Sequence, residues 1–181
     1  MTTPFEISNS NKYGVLQNQP QNKNPLIETR YRFSTRKIPN VTYMCQGLHL
    51  PGMKIEVAKQ ETLFNPMGYP AGQIQQQELK IDFLVEESFD NWFEMYNWIK
   101  ECSNYTDFSD YTSVSKNIIS DATVLILDSK QNPKIKFQFQ NVFPVELSTI
   151  NFETTSPDAT MVSVEARFHF TDYSVTKLYN D

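Results

Sequence analysis

Cysteine and histidine are both scarce. Two of each occur among 181 residues. Cys45 and Cys102 lie far apart and match no metal or redox spacing, so no disulfide framework follows and free, buried thiols are expected. His49 and His169 have no Cys or His neighbour at ligand spacing. Five glycines and ten prolines exclude collagen-like and linker-like chains. No apolar run approaches 18 residues, so no membrane span is expected. The start, MTTPFEISNSNKYG, lacks a basic region followed by an apolar one and is not read as a secretory signal. Basic residues are outnumbered 16 to 21, a net charge of −5. Such a chain repels phosphate backbones, which argues against tight nucleic-acid binding.

Aromatic residues are abundant instead. Thirteen Phe and nine Tyr lean the composition toward strands. Residues 1–29 are polar and interrupted by proline, and read as an extended N-terminal arm ordered only by a partner. Residues 30–181 read as one domain. RYRFSTRKI (30–38) alternates, VTYMCQGLHL (41–50) is extended up to the Pro51–Gly52 turn, and MKIEVAK (53–59) alternates again. Residues 60–73, with two Pro and two Gly, read as a long loop. Its Leu63, Phe64, Met67 and Tyr69 are odd choices for a solvated loop and suggest a surface that docks on something.

A strand is expected from Ile74 to Glu86, with Leu79, Ile81, Phe83 and Val85 inward and Gln76, Glu78, Lys80 and Asp82 on a wet face. The spacing of Phe89, Trp92, Phe93, Tyr96 and Ile99 predicts a helix over 88–102. Ser88 is its expected N-cap, and Met95, Trp98 and Cys102 widen a stripe assigned to the core. Residues 120–128, 134–143 and 161–170 complete the strands. In the last, Val164, Ala166 and Phe168 face in while Glu165 and Arg167 face out. The fold class is mainly β, an antiparallel sandwich or barrel with one flanking helix.

No catalytic, cofactor or metal site emerges. There is no GxSxG, P-loop or GxGxxG. Adjacent Glu86 and Glu87 point to opposite faces of an extended chain, and Asp107 and Asp110 lack a ligand-loop pattern. A polar arm, an apolar loop and a wet sheet face suit an assembling subunit, the wet face fitting a barrel with an aqueous interior. The competing reading is a monomeric carbohydrate-binding module using Tyr105, Phe108 and Tyr111.

The order of GLHLPGMKIE (47–56), ELKIDFLVEESFDNWFEMYNWI (78–99), SDATVLILDS (120–129), IKFQFQNVFPVELSTINFE (135–153) and VSVEARFHFTDYSV (162–175) resembles the tail tube proteins of contractile-tailed, T4-like bacteriophages. The resemblance implies a structural virion protein and not an enzyme. It implies homo-hexameric rings stacked helically into a hollow tube, assembled in the host cytoplasm, with sheath and baseplate proteins as partners. DNA passes the lumen without specific binding. Loop 60–73 is then expected to bridge rings through Leu63, Phe64, Met67 and Tyr69. The face carrying Gln76, Glu78, Lys80, Asp82, Glu165 and Arg167 is expected to line the lumen. A tube-capping terminator or a baseplate initiator of the same fold is the alternative.

Overall fold

The computed structural model describes residues 24–61, 65–103, 118–154 and 160–178. Among them, in chain order, are β1 (Tyr31–Thr35), α1 (Pro39–Tyr43), β2 (Cys45–His49), β3 (Met53–Gln60), β4 (Met67–Gln76), β5 (Leu79–Leu84), α2 (Asp90–Ser103), β6 (Ser120–Leu127), β7 (Pro133–Leu147), β8 (Ser163–His169) and β9 (Asp172–Lys177). All strand pairs are antiparallel. Seven strands form one sheet, in the order β1-β6-β7-β8-β5-β2 with β9 also on β7, and β3 and β4 make a separate hairpin.

Period-2 alternation puts Leu79, Ile81 and Phe83 of β5 beside Val164, Ala166 and Phe168 of β8, all in the core. Fully burying a side chain such as Phe168 contributes about 1.5–3 kcal/mol. The long strand β7 serves two neighbourhoods. Its first half pairs with β6 and β9, and its second half with β8. The change falls at Asn141, whose φ is 56, a left-handed value that asparagine tolerates better than most residues. The neighbouring chain turns at the same level, where Thr171 N donates to Gln140 O at 3.1 Å. The paired bends fold the sheet over a single apolar cluster that includes Phe33, Val124, Phe139, Ile81 and Phe168.

Helix α2 seals this cluster with Met95 and Trp98, and Trp98 Nε1 donates to Ile118 O at 2.6 Å. Asn91 is wholly buried on the same face. Its Nδ2 donates to Leu84 O at 2.6 Å and its Oδ1 accepts from Glu86 N at 3.3 Å, which ties the helix to the end of β5. α1 lacks a side-chain cap of its own. Glu94 of α2 caps it across the fold, accepting from Asn40 N at 3.2 Å and Asn40 Nδ2 at 2.8 Å. Burial raises the Glu94 carboxyl pKa despite these bonds.

Four expectations are corrected. Residues 67–73, expected within a loop, begin β4. Pro70 sits opposite Val57 and is tolerated because a two-stranded ribbon leaves its outer edge unpaired. The single strand expected over 74–86 is two strands. At Gln77 the chain leaves the hairpin, with Gln77 N bonded to Gly52 O at 3.0 Å, and it enters the main sheet at Leu79. Part of 41–50 is helical, with Pro39 starting α1 where its missing N–H costs nothing. Finally, α2 begins at Asp90, Ser88 Oγ bonds Glu86 instead of capping it, and its aromatic stripe turns outward. Phe93 and Tyr96 are exposed and Trp92 is half-buried, because Asn91, Met95 and Trp98 occupy the inner face.

Candidate assembly surfaces

The outer face of β2, β5, β8 and the end of β7 is a lattice of charge. Register places Lys80 opposite Arg167 and Asp82 opposite Glu165, like against like. The side chains escape this by pairing diagonally and with the flanking strands. Lys80 Nζ lies 3.6 Å from Glu165 Oε1, Arg167 Nε donates to Glu165 Oε1 at 2.7 Å, and Arg167 Nη1 reaches Glu146 Oε2 at 3.0 Å. His49 Nε2 meets Asp82 Oδ2 at 3.1 Å. Gly47 makes that contact possible, since a Cβ there would collide with the Asp82 carboxylate. The Arg167 guanidinium holds the Glu165 carboxyl below its usual range, and Arg167 is raised in turn, chiefly by Glu165. The structure thus brings together Lys80, Asp82, Glu165 and Arg167. Glu78 precedes β5 and adds its field to Arg167. Gln76 belongs to β4, opposite Met53, and not to this face.

The β3–β4 hairpin is a second surface. Every described residue of its two strands is exposed except half-buried Ala71. Met67 and Tyr69 share one side of it, Tyr69 Oη approaching Met67 Sδ at 4.0 Å. Leu63 and Phe64 lie outside the described residues. The opposite side carries Met53, Ile55 and Val57 with Pro70.

The third surface, which sequence reasoning assigned to the core, is aromatic. Trp92 stacks on Tyr96 at 5.2 Å, Phe93 meets Trp92 at 5.6 Å, and Phe89 joins Trp92 at 6.2 Å and Phe152 at 6.5 Å. Phe152 is 71% exposed. The signal that could have found it is Asn91. Its place beside Met95, Trp98 and Cys102 at helical spacing marks a different inner face.

Between β1 and β2, the two ends of the sheet path, a cleft of ≈ 380 Å³ is lined by residues that include Tyr31, Thr42, Tyr43 and Cys45. Burial pushes the Cys45 thiol up to about 11 and, with Cys45 as neighbour, Tyr31 up to about 12. Both cysteines are free. Among the described residues no group of three His, Cys, Asp or Glu is placed to hold a metal. Tyr105, Phe108 and Tyr111 lie outside the described residues, as do Asp107 and Asp110. No described helix is long and apolar enough to cross a membrane.

A chain in the anti-feeding prophage cap, a tube terminating cap, superposes with a TM-score of 0.63 over 91% of this chain and 99% of that one, at 13% identity. A chain of the anti-feeding prophage baseplate superposes at 0.62 over 86% and 97%, at 12% identity. The fold is therefore that of the tube-related proteins of contractile injection systems. The tail tube terminator protein of Enterobacteria phage T4 is 26% identical over 142 residues, 75% of this chain and 78% of that protein. The family model described as "Phage tail tube protein" matches residues 8–176, and the chain belongs to that family. It is a structural phage tail protein and a component of the virion. The match takes in residues 8–29, so most of the N-terminal arm is part of the family pattern.

Proposed function

We propose that this protein is a tail tube terminator, the subunit of the ring that ends the tube. One observation carries the reading, the 26% identity to the T4 terminator across three quarters of both chains. The likeness to a terminating cap over nearly the whole of both chains agrees with it.

In this reading homo-hexameric rings form in the host cytoplasm and meet the tube, the sheath and the baseplate-tube assembly in the tail. The charged sheet face lines the passage. It carries four carboxylates, those of Glu78, Asp82, Glu146 and Glu165, against the cations Lys80 and Arg167. An excess of negative charge lets DNA phosphates slide past during ejection without being held. The hairpin side bearing Met67 and Tyr69, together with Leu63 and Phe64 between its two strands in the sequence, contacts the last ring of the tube.

The second reading is a repeating subunit of the tube body, supported by the description of the family. A gold-labelled C-terminal tag on assembled tails separates the two. Label only at the end of the tube away from the baseplate is the result expected of a terminator. Label along the whole tube assigns the chain to the body, and label at the baseplate end alone to an initiator.

A further inference from the structure

Two apolar surfaces of this chain are exposed among the described residues, the second with Lys100 Nζ over its Tyr96 ring at 5.1 Å. One is the side of the hairpin carrying Met53, Ile55 and Val57, which are 65%, 50% and 63% exposed. The other is the aromatic patch on α2. An isolated two-stranded hairpin is marginal in water and needs a third element to stand on. Exposed apolar areas of this kind mark interaction sites.

The two surfaces are suited to each other. Eight residues of β3 extend for about 26 Å, and the fourteen residues of α2 for about 21 Å. The strand can therefore lie along the whole helix. The hairpin side has Lys59 as its charge, on the same side as Val57. The patch is rimmed at its Phe89 end by exposed Glu87, Asp90 and Glu153. The acidic rim at the Phe89 end complements Lys59, while Lys100 sits over Tyr96 at the other end of the patch. Phe89 itself has a φ of 61, a costly conformation for a bulky residue that presents its ring to Trp92 and Phe152. Strain of this sort accumulates where a surface has work to do.

We infer that the hairpin of one copy docks by its Ile55–Val57 side on the α2 aromatic patch of the next copy. The contact uses two different surfaces, so it is heterologous, and it yields a ring when the rotation closes. It deepens the terminator reading by naming the contact that closes the ring. It leaves the Met67–Tyr69 side of the hairpin free for the tube.

The test is native mass spectrometry of the full-length chain over a concentration series. The first variant is Ile55→Ser with Val57→Ser. The second is Phe93→Ser with Tyr96→Ser. Far-UV circular dichroism and melting check that each is folded. Phe152→Ser, at the most exposed ring, replaces the second variant if that one fails to fold. The wild type should form closed multi-copy rings, and each variant should be monomeric where the wild type is all ring. Mixed in equal amounts, the two variants should form one-to-one dimers and nothing larger, because each retains the surface the other lacks. A monomeric wild type at every concentration, rings from either variant, or a mixture that stays monomeric overturns the contact. A tag at the tube end together with a failed mixture would leave the terminator reading standing and remove this contact.

Discussion

Replacing Asn91 with alanine should destabilise the fold more than any other single polar substitution on α2. The side chain is wholly buried and supplies two backbone groups, Leu84 O at 2.6 Å and Glu86 N at 3.3 Å. Alanine leaves both without that partner. A buried group left unpaired costs about 1–3 kcal/mol, so two such groups give about 2–4 kcal/mol after allowing for incomplete burial. Alanine returns about 0.5 kcal/mol through better helix propensity. The net loss is about 1.5–3.5 kcal/mol. In a chain of this size it should lower Tm by about 3–14 °C. Urea denaturation followed by tryptophan fluorescence measures it, with an unchanged m-value confirming that the same surface is exposed. Asn91→Asp retains the acceptor for Glu86 N but loses the donor and buries a charge, so it should be at least as damaging. A loss under about 0.5 kcal/mol for Asn91→Ala would refute the claim that these bonds anchor α2 to β5.

Other substitutions separate core from surface. Trp98→Ala should cost about 3–5 kcal/mol by the same denaturation assay, since it empties a core position against Phe168, at 5.8 Å, and strands Ile118 O. Phe93→Ser on the same helix should cost only about 1 kcal/mol, because its ring is half in water. Gly47→Ala forces the Asp82 carboxylate aside and should cost about 1–3 kcal/mol while breaking the contact to His49, visible as changed chemical shifts of the His49 ring in NMR. Stability should also fall in alkali. Cys45 and Tyr31 keep their protons in the folded state up to about 11 and about 12, while the unfolded chain releases them from their ordinary values of 9.0 and 10.0. Their contribution is therefore complete below pH 9 and is lost as pH rises through the folded values. Denaturation midpoints between pH 8 and 12 measure this, and Cys45→Ala with Tyr31→Phe should flatten the slope.

The strands of the main sheet were legible because one face of each meets the core and the other meets water. β5 and β8 show this in Leu79, Ile81 and Phe83 and in Val164, Ala166 and Phe168. The hairpin was hidden because neither of its sides is buried within one copy. Gly68, Pro70 and Gly72 then read as a loop, although an exposed ribbon accommodates them all. Gln76 has the right parity to join Lys80, but parity cannot reveal that the chain changes sheets at Gln77. Val41, Thr42 and Tyr43 favour strands, and they are helical here because Pro39 starts the turn and Glu94, 54 residues away, caps it. Helix α2 itself was legible, but its orientation was not. Seven apolar residues around one helix outnumber a single face, and the hydrogen bonds of Asn91 decide which side is inner. Lys80, Asp82, Glu165 and Arg167 share one face of the sheet, and their diagonal pairing depends on register that alternation alone does not specify.

The central claim is that this chain ends a tube and does not build its length. Counting copies per virion by quantitative mass spectrometry, against the major tube protein of the same tails, tests it most directly. A terminator should be present as one ring's worth of copies, a small fraction of the tube protein, whatever the length of the tail. Copies equal to those of the tube wall, rising in proportion to tail length, would contradict it.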